Sequence, residues 1–167
     1  APNGSVLLAG AQAVTLSLES DGGLISYTLD QGSVQALVDN GGLIQANGGH
    51  VVLTAKGVDA LSKAVVNHSG VIEAQTVDGK SGVIELLADM QSGTVNVSGK
   101  LDASAPNGGD GGFIETSAAK VKIDPSATIT TIAHYGKIGT FLIDPTDYII
   151  ADTGGDMTPQ QIIETLW

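Results

Sequence analysis

Hydrophobic and polar residues alternate along this chain in short runs, and clusters of Gly, Asn, Asp and Ser separate the runs. Val51-Val52-Leu53-Thr54-Ala55, Gly82-Val83-Ile84-Glu85-Leu86, Thr94-Val95-Asn96-Val97 and Val121-Lys122-Ile123 are examples. A period of two sends successive side chains to opposite faces. Each run therefore reads as a short β-strand with one buried face, closed off by turn-forming residues.

The runs themselves repeat. ALVDNGGLIQA, from Ala36 to Ala46, aligns with AVVNHSGVIEA, from Ala64 to Ala74, at an offset of 28. VNVSGKLDA, from Val95 to Ala103, repeats the tail 29 residues later, and Ala127-Thr128-Ile129-Thr130-Thr131 echoes it 28 after that. A period in this range predicts a solenoid. Short strands at this spacing fit about three to a turn, so the expected fold is all-β: a right-handed parallel β-helix whose inward aliphatics stack rung on rung. Roughly six coils at ~4.8 Å per rung would make a rod about 30 Å long. The competing all-β answer, a sandwich, would need hairpin turns and more aromatic residues.

Three stretches depart from the repeat. In Asp59-Ala60-Leu61-Ser62-Lys63-Ala64-Val65, residues Leu61, Ala64 and Val65 share a helical face, which predicts a short helix lying on the rod. Asp144-Pro145-Thr146-Asp147-Tyr148 reads as a turn. Thr158-Pro159-Gln160-Gln161 predicts a helix start, with Thr at the N-cap, Pro at the first helical position and Gln closing a capping box. Ile162, Ile163 and Leu166 supply its apolar face, and the chain stops at Trp167 in mid-helix, as a fragment of a larger protein would. The expected organisation is β-helix repeats over 1–150, then a junction and the start of a capping helix over 151–167. That helix would hide the open edge of the last rung.

Composition narrows the function classes. The 167 residues suffice for one domain with a core. Hydrophobic residues reach 42% while aromatics are 4%, so the core is Val, Ile, Leu and Ala. No apolar run approaches the ~18 residues of a membrane span, and membrane insertion is not expected. All 7 basic residues are lysines, against 18 acids, for a net charge of −11. Such a surface repels phosphate backbones and anionic lipid, which argues against nucleic-acid and membrane-surface partners. The lack of arginine removes the usual bidentate clamp for carboxylates and phosphates. With no cysteine there are no disulfides and no thiolate metal sites. Ala1-Pro2-Asn3-Gly4 carries no charged or apolar leader, which fits a cytosolic chain or an internal fragment.

LISYTLDQGSVQALVDNGGLIQANGGHVVLTAK, LDASAPNGGDGGFIETSA and GTFLIDPTDYIIADTGGDMT resemble stretches of filamentous-haemagglutinin-type exoproteins. The most specific parts are GGDGGFIETSA and Phe141 to Tyr148. These exoproteins are the large secreted partners of bacterial two-partner secretion. The resemblance implies a β-helical passenger that crosses the outer membrane through a dedicated β-barrel transporter and ends on or outside the cell. It implies as partners that transporter, through a domain not in this chain, and a receptor or glycan on a host or neighbouring cell. Pro2-Asn3-Gly4 echoes the family's NPNG-type secretion motif without its leading asparagine, so the chain resembles the segment downstream of the secretion domain. The function implied is a non-catalytic stalk or binding surface of a virulence-associated adhesin. The spacer of a contact-dependent toxin and the capture of haem proteins are further possibilities within the family, and no receptor can be named.

Candidate chemistry is sparse. Gly108-Gly109-Asp110-Gly111-Gly112 partly mimics a calcium-roll turn, but occurs once and with one carboxylate, so it reads as a tight corner. A phosphate cradle fails because FIET, a strand, follows it. β-Helices also host polysaccharide lyases and glycosidases, which need clustered carboxylates. Asp78, Glu85, Asp89, Asp102, Asp110 and Glu115 are spread along the chain, though Glu85 and Glu115 each follow an aliphatic pair after Gly and could stack on adjacent rungs. His50, His68 and His134 are singletons without zinc-ligand spacing. Asn3-Gly4-Ser5, Asn67-His68-Ser69 and Asn96-Val97-Ser98 are glycosylation sequons of the kind that Gly/Asn/Ser-rich sequences produce by chance. No catalytic, cofactor-binding or metal-binding residue is assigned from the sequence, and no cofactor is expected.

Overall fold

The alternating runs become strands that pair in parallel, each with its counterpart one turn away, in a computed structural model that describes residues 1–18 and 24–165. The first turn holds β1 (Ser5–Gly10), an inserted pair β2 (Ala13–Leu18) and β3 (Leu24–Gln31), then β4 (Gln35–Asn40) and β5 (Leu43–Gln45). The second holds β6 (His50–Ala55), β7 (Lys63–His68) and β8 (Val71–Glu73), the third β9 (Val83–Ala88), β10 (Thr94–Val97) and β11 (Lys100–Asp102). The fourth holds β12 (Phe113–Ala118), β13 (Lys120–Ile123) and β14 (Thr128–Thr130), after which β15 (Thr140–Pro145) opens another. Three parallel sheets result, ordered β1-β6-β9-β12-β15, β4-β7-β10-β13 and β5-β8-β11-β14. The molecule is a parallel β-solenoid of about four turns.

The offsets of 28 and 29 are the sheet registers. Ala36 pairs with Ala64, Leu43 with Val71, Val71 with Lys100, and Lys100 with Thr128. Inward positions form columns: Val51, Ile84, Ile114 and Phe141 on the first sheet, Val38, Val66, Val95 and Val121 on the second, Ile44, Ile72, Leu101 and Ile129 on the third. Most of these are fully buried. Removing apolar area from water in stacked, nearly identical layers is the main stabilisation of such a rod. Glycine sits at the corner before many strands because the turns touch there. A Cβ on Gly99 would lie 2.1 Å from the Gly70 carbonyl oxygen, and one on Gly70 2.2 Å from that of Gly42.

Four sequence expectations need correction. There are about four turns rather than six, because β2–β3 and the residues after Pro145 leave the coil. At ~4.8 Å per rung the rod is about 20 Å long rather than 30. Asp59–Val65 is a turn leading into strand β7, not a helix. The Asp59 carboxylate accepts from the Leu61 N–H (3.0 Å) and the Ser62 hydroxyl (2.8 Å), which fixes an Asx turn and leaves Leu61 95% exposed. Asp144 and Pro145 belong to β15, so the chain leaves the coil at Thr146, whose hydroxyl donates to the Met90 carbonyl (2.9 Å).

The helix start is where the sequence puts it. In α1 (Pro159–Thr165) the Gln161 N–H donates to the Thr158 hydroxyl (3.2 Å), and the Thr158 N–H to the Gln161 side-chain carbonyl (2.8 Å). This is the reciprocal capping box. Met157 and Gln161 lie beside the end of the coil and line, with Ile129, Ile132, Ile138 and Phe141, an open cleft of about 650 Å³. The side chain of Ile163, and all of Leu166 and Trp167, lie outside the described residues.

Candidate functional site

The two carboxylates that the repeat could bring together are brought together. Glu85 on β9 and Glu115 on β12 are direct register partners on the outer face of the first sheet, between Val52 below and Leu142 above. The two lie on neighbouring parallel strands, which run about 4.8 Å apart. The His50 imidazole donates from Nε2 to Glu85 (2.8 Å), and the Ser117 hydroxyl donates to Glu115 (2.6 Å).

A lid that the sequence analysis did not foresee covers this strip. The β2–β3 hairpin leaves the coil after β1 and lies across the same face. Tyr27 and Leu29 are half-buried, whereas Ser26, Thr28 and Asp30, which alternate with them, are exposed. The Tyr27 hydroxyl comes close to Thr54, and the Lys56 ammonium donates to the Leu29 carbonyl. Under this cover Val52 is 1% exposed and Thr54 5%, although both point away from the core. Burial first, then the Glu85 and Glu115 charges, push the Tyr27 phenol above its ordinary range, and the Thr54 hydroxyl opposes them. A pair of acids, an imidazole and a phenol thus share one partly covered strip. The usual signals of a hairpin were present: AVTLSL and LISYTLDQ alternate with period two and flank Asp21-Gly22-Gly23.

On the third sheet the outward residues form a ladder. Gln45 donates to Glu73 (2.8 Å), Gln75 donates to Asp102 (2.9 Å), and Lys100 pairs with Asp102 (2.8 Å) and more loosely with Glu73 (3.8 Å). Asp102 also accepts from the Ser104 hydroxyl (2.6 Å) and N–H (3.0 Å). Burial alone would raise the Asp102 carboxyl, but Lys100, Ser104 and Gln75 outweigh it and hold it below the usual range. The same contact with Asp102 raises the Lys100 ammonium. Asp102 is therefore a satisfied structural charge, 3% exposed, in place of the dispersed turn residue the sequence suggests.

The remaining candidates are also engaged. The Asp110 carboxylate accepts from the Lys137 N–H one turn up (2.8 Å), and its carbonyl accepts from the Thr76 (2.6 Å) and Ser81 (3.1 Å) hydroxyls one turn down. Gly108 and Gly109 adopt φ of 126° and 87°, so GGDGG is a corner clipped to both neighbours. Asp89 accepts from the Gln91 and Ser92 N–H groups, and Asp78 sits in a turn with φ of 53°. His68 is buried in the core, and His134 packs edge-on against Tyr135. The amide of Asn96 donates to that of Asn67 (2.9 Å), so these two sequons face each other across adjacent rungs, while Asn3 is exposed. Among the described residues no three His, Asp or Glu side chains converge as a metal site would need. Compared with protein-family models, curated proteins and solved structures, the chain matches none.

Proposed function

We propose that the chain is a non-catalytic β-solenoid segment of a secreted bacterial surface exoprotein, serving as stalk or binding surface in cell adhesion. One observation carries the reading: outward polar side chains are spent on their neighbours in adjacent turns. Gln45–Glu73, Gln75–Asp102, Asn67–Asn96 and His50–Glu85 each join one rung to the next. Side chains used this way stiffen a rod. The resemblance of GGDGGFIETSA and FLIDPTDY to haemagglutinin-type exoproteins supports the same reading, with export through an outer-membrane transporter and a location outside the cell.

The second reading is a polysaccharide-active enzyme, favoured by the in-register Glu85–Glu115 pair beneath Tyr27. One experiment separates the two. Beads coated with the segment are scored for attachment to cell surfaces, and the free protein is assayed on acidic polysaccharides, for wild type and Glu115→Gln. Attachment that survives the substitution, without depolymerisation, is the expected result. Depolymerisation by wild type that Glu115→Gln abolishes would establish the enzyme instead.

A further inference from the structure

Asparagine followed by glycine is the pairing most open to self-attack of the backbone on the side chain, because glycine offers no steric cover. Four of the chain's asparagines have this neighbour: Asn3, Asn40, Asn47 and Asn107. The fold treats them very differently.

Three are held. Asn40 is buried, its amide nitrogen bonded to His68 Nδ1 (3.1 Å) and its oxygen accepting the Gly42 N–H (3.3 Å). The Asn47 side chain accepts the Gln75 N–H (3.0 Å), while the Gly48 nitrogen, which would have to attack, donates to the Gln75 carbonyl (2.7 Å). At Asn3 the attacking Gly4 nitrogen donates to the Ala1 carbonyl (2.9 Å), and the Asn3 N–H donates to the Asn47 carbonyl (2.7 Å). Asn107 is different. It is exposed at the tip of the corner between β11 and β12, and its side chain enters no hydrogen bond among the described residues. Among the described residues the Gly108 N–H makes none of the close backbone bonds that secure Gly4 and Gly48, and apart from its chain neighbours no residue places an atom within 4 Å of where a Gly108 Cβ would stand.

We propose that Asn107 is a site of spontaneous deamidation and isoaspartate formation that the fold leaves open while it shields the other three Asn-Gly pairs. The Gly108 nitrogen loses its proton and attacks Asn107 Cγ. The N–Cγ bond forms, the Cγ–Nδ2 bond breaks, and ammonia leaves carrying the proton. Water then opens the resulting succinimide at either carbonyl, to aspartate or to isoaspartate. The balance is one water consumed and one ammonia released, with no other reactant. The product adds a negative charge beside Asp110 and, as isoaspartate, one methylene to the backbone of the corner. Residues 106–110 contribute nothing to the buried core, so the coil can absorb this change.

Ageing the folded protein at mildly alkaline pH, then mapping its peptides by mass spectrometry with isoaspartyl methyltransferase labelling, tests the proposal. A parallel sample is aged in urea. The Asn107 peptide should convert several-fold faster than those of Asn3, Asn40 and Asn47 in the folded protein, and the four rates should converge in urea. Asn107→Gln, with an unchanged circular dichroism spectrum, should remove most of the folded-state label. Equal folded-state rates, or Asn3 or Asn47 leading Asn107, would overturn it.

Discussion

His68 occupies a core position whose column is polar at one end and aliphatic at the other. It lies between Asn40 and Val97, with Ile123 beyond, and is 1% exposed. The Lys100 carbonyl can only accept, so Nε2 must carry the proton that bonds it (3.0 Å), and Nδ1 then accepts from the Asn40 amide (3.1 Å). The ring is neutral and fully satisfied. Burial lowers its pKa below the ordinary imidazole value, against smaller opposing bonds to Lys100 and Asn40. The unfolded chain therefore binds the proton more readily. The stability this group contributes is complete above about pH 6.5 and is lost as pH falls towards the depressed folded value, at no more than about 1.4 kcal/mol per pH unit. Urea titrations at several pH values between 7.5 and 5 should show that slope. His68→Leu should lower stability at pH 7.5 by about 2–4 kcal/mol, through two orphaned partners, and flatten the slope. A wild type whose midpoint is unchanged from pH 7.5 to 5 would contradict the assignment.

At the scale of elements, the strands are legible in the sequence and so is a hairpin, but not the face on which the hairpin packs. Alternation marks β6, β9, β10 and β13 because each presents one apolar face to a single core. β3 carries the same alternation for another reason: Tyr27 and Leu29 lie against the outer face of the first sheet, while its partner β2 leaves Val14, Leu16 and Leu18 exposed. Periodicity cannot tell those destinations apart. The failed helix at Asp59 has a similar cause, since a side-chain bond to Leu61 and Ser62 outbid a weak apolar stripe. The candidate site was half legible for the same reasons. The Glu85–Glu115 juxtaposition follows from the repeat, whereas Tyr27 comes from the inserted hairpin, and His50, though on coil strand β6, reaches Glu85 from a diagonal position that the aligned repeats do not mark. The hairpin's attachment can be tested directly. Tyr27→Phe keeps the ring and removes the hydroxyl that faces Thr54 under cover, at a cost of about 1 kcal/mol. Hydrogen exchange in β2, β3 and β6 should rise, while amides of β7, β10 and β13 stay protected. Uniform exchange throughout would mean that the hairpin is not a separable lid.

For the whole molecule, the repeat makes a stronger demand: turns should be interchangeable where their registers match. Gly70 and Gly99 both sit one residue before a strand of the third sheet, at matched places on successive turns. Deleting residues 71–99 therefore joins Gly70 to Lys100 at the junction that Gly99 makes naturally. It removes β8, β9 and β10 and sets β12 against β6, β11 against β5 and β13 against β7. Core columns survive, with Ile114 falling on Val51, Leu101 on Ile44 and Val121 on Val66. The corner survives too, because Gly49 precedes β6 as Gly82 precedes β9. Glu115 loses its acidic neighbour and gains Val52. Stability in a stacked array is the sum of repeats and interfaces, so the shortened chain should fold cooperatively and melt at a lower temperature. Its strand-type circular dichroism should persist, and its scattering profile should shorten by about one rung, ~4.8 Å. A deletion protein that is unfolded or molten would show that the turns are not equivalent, and that the hairpin and its strip on β6, β9 and β12 act as one unit the coil cannot lose.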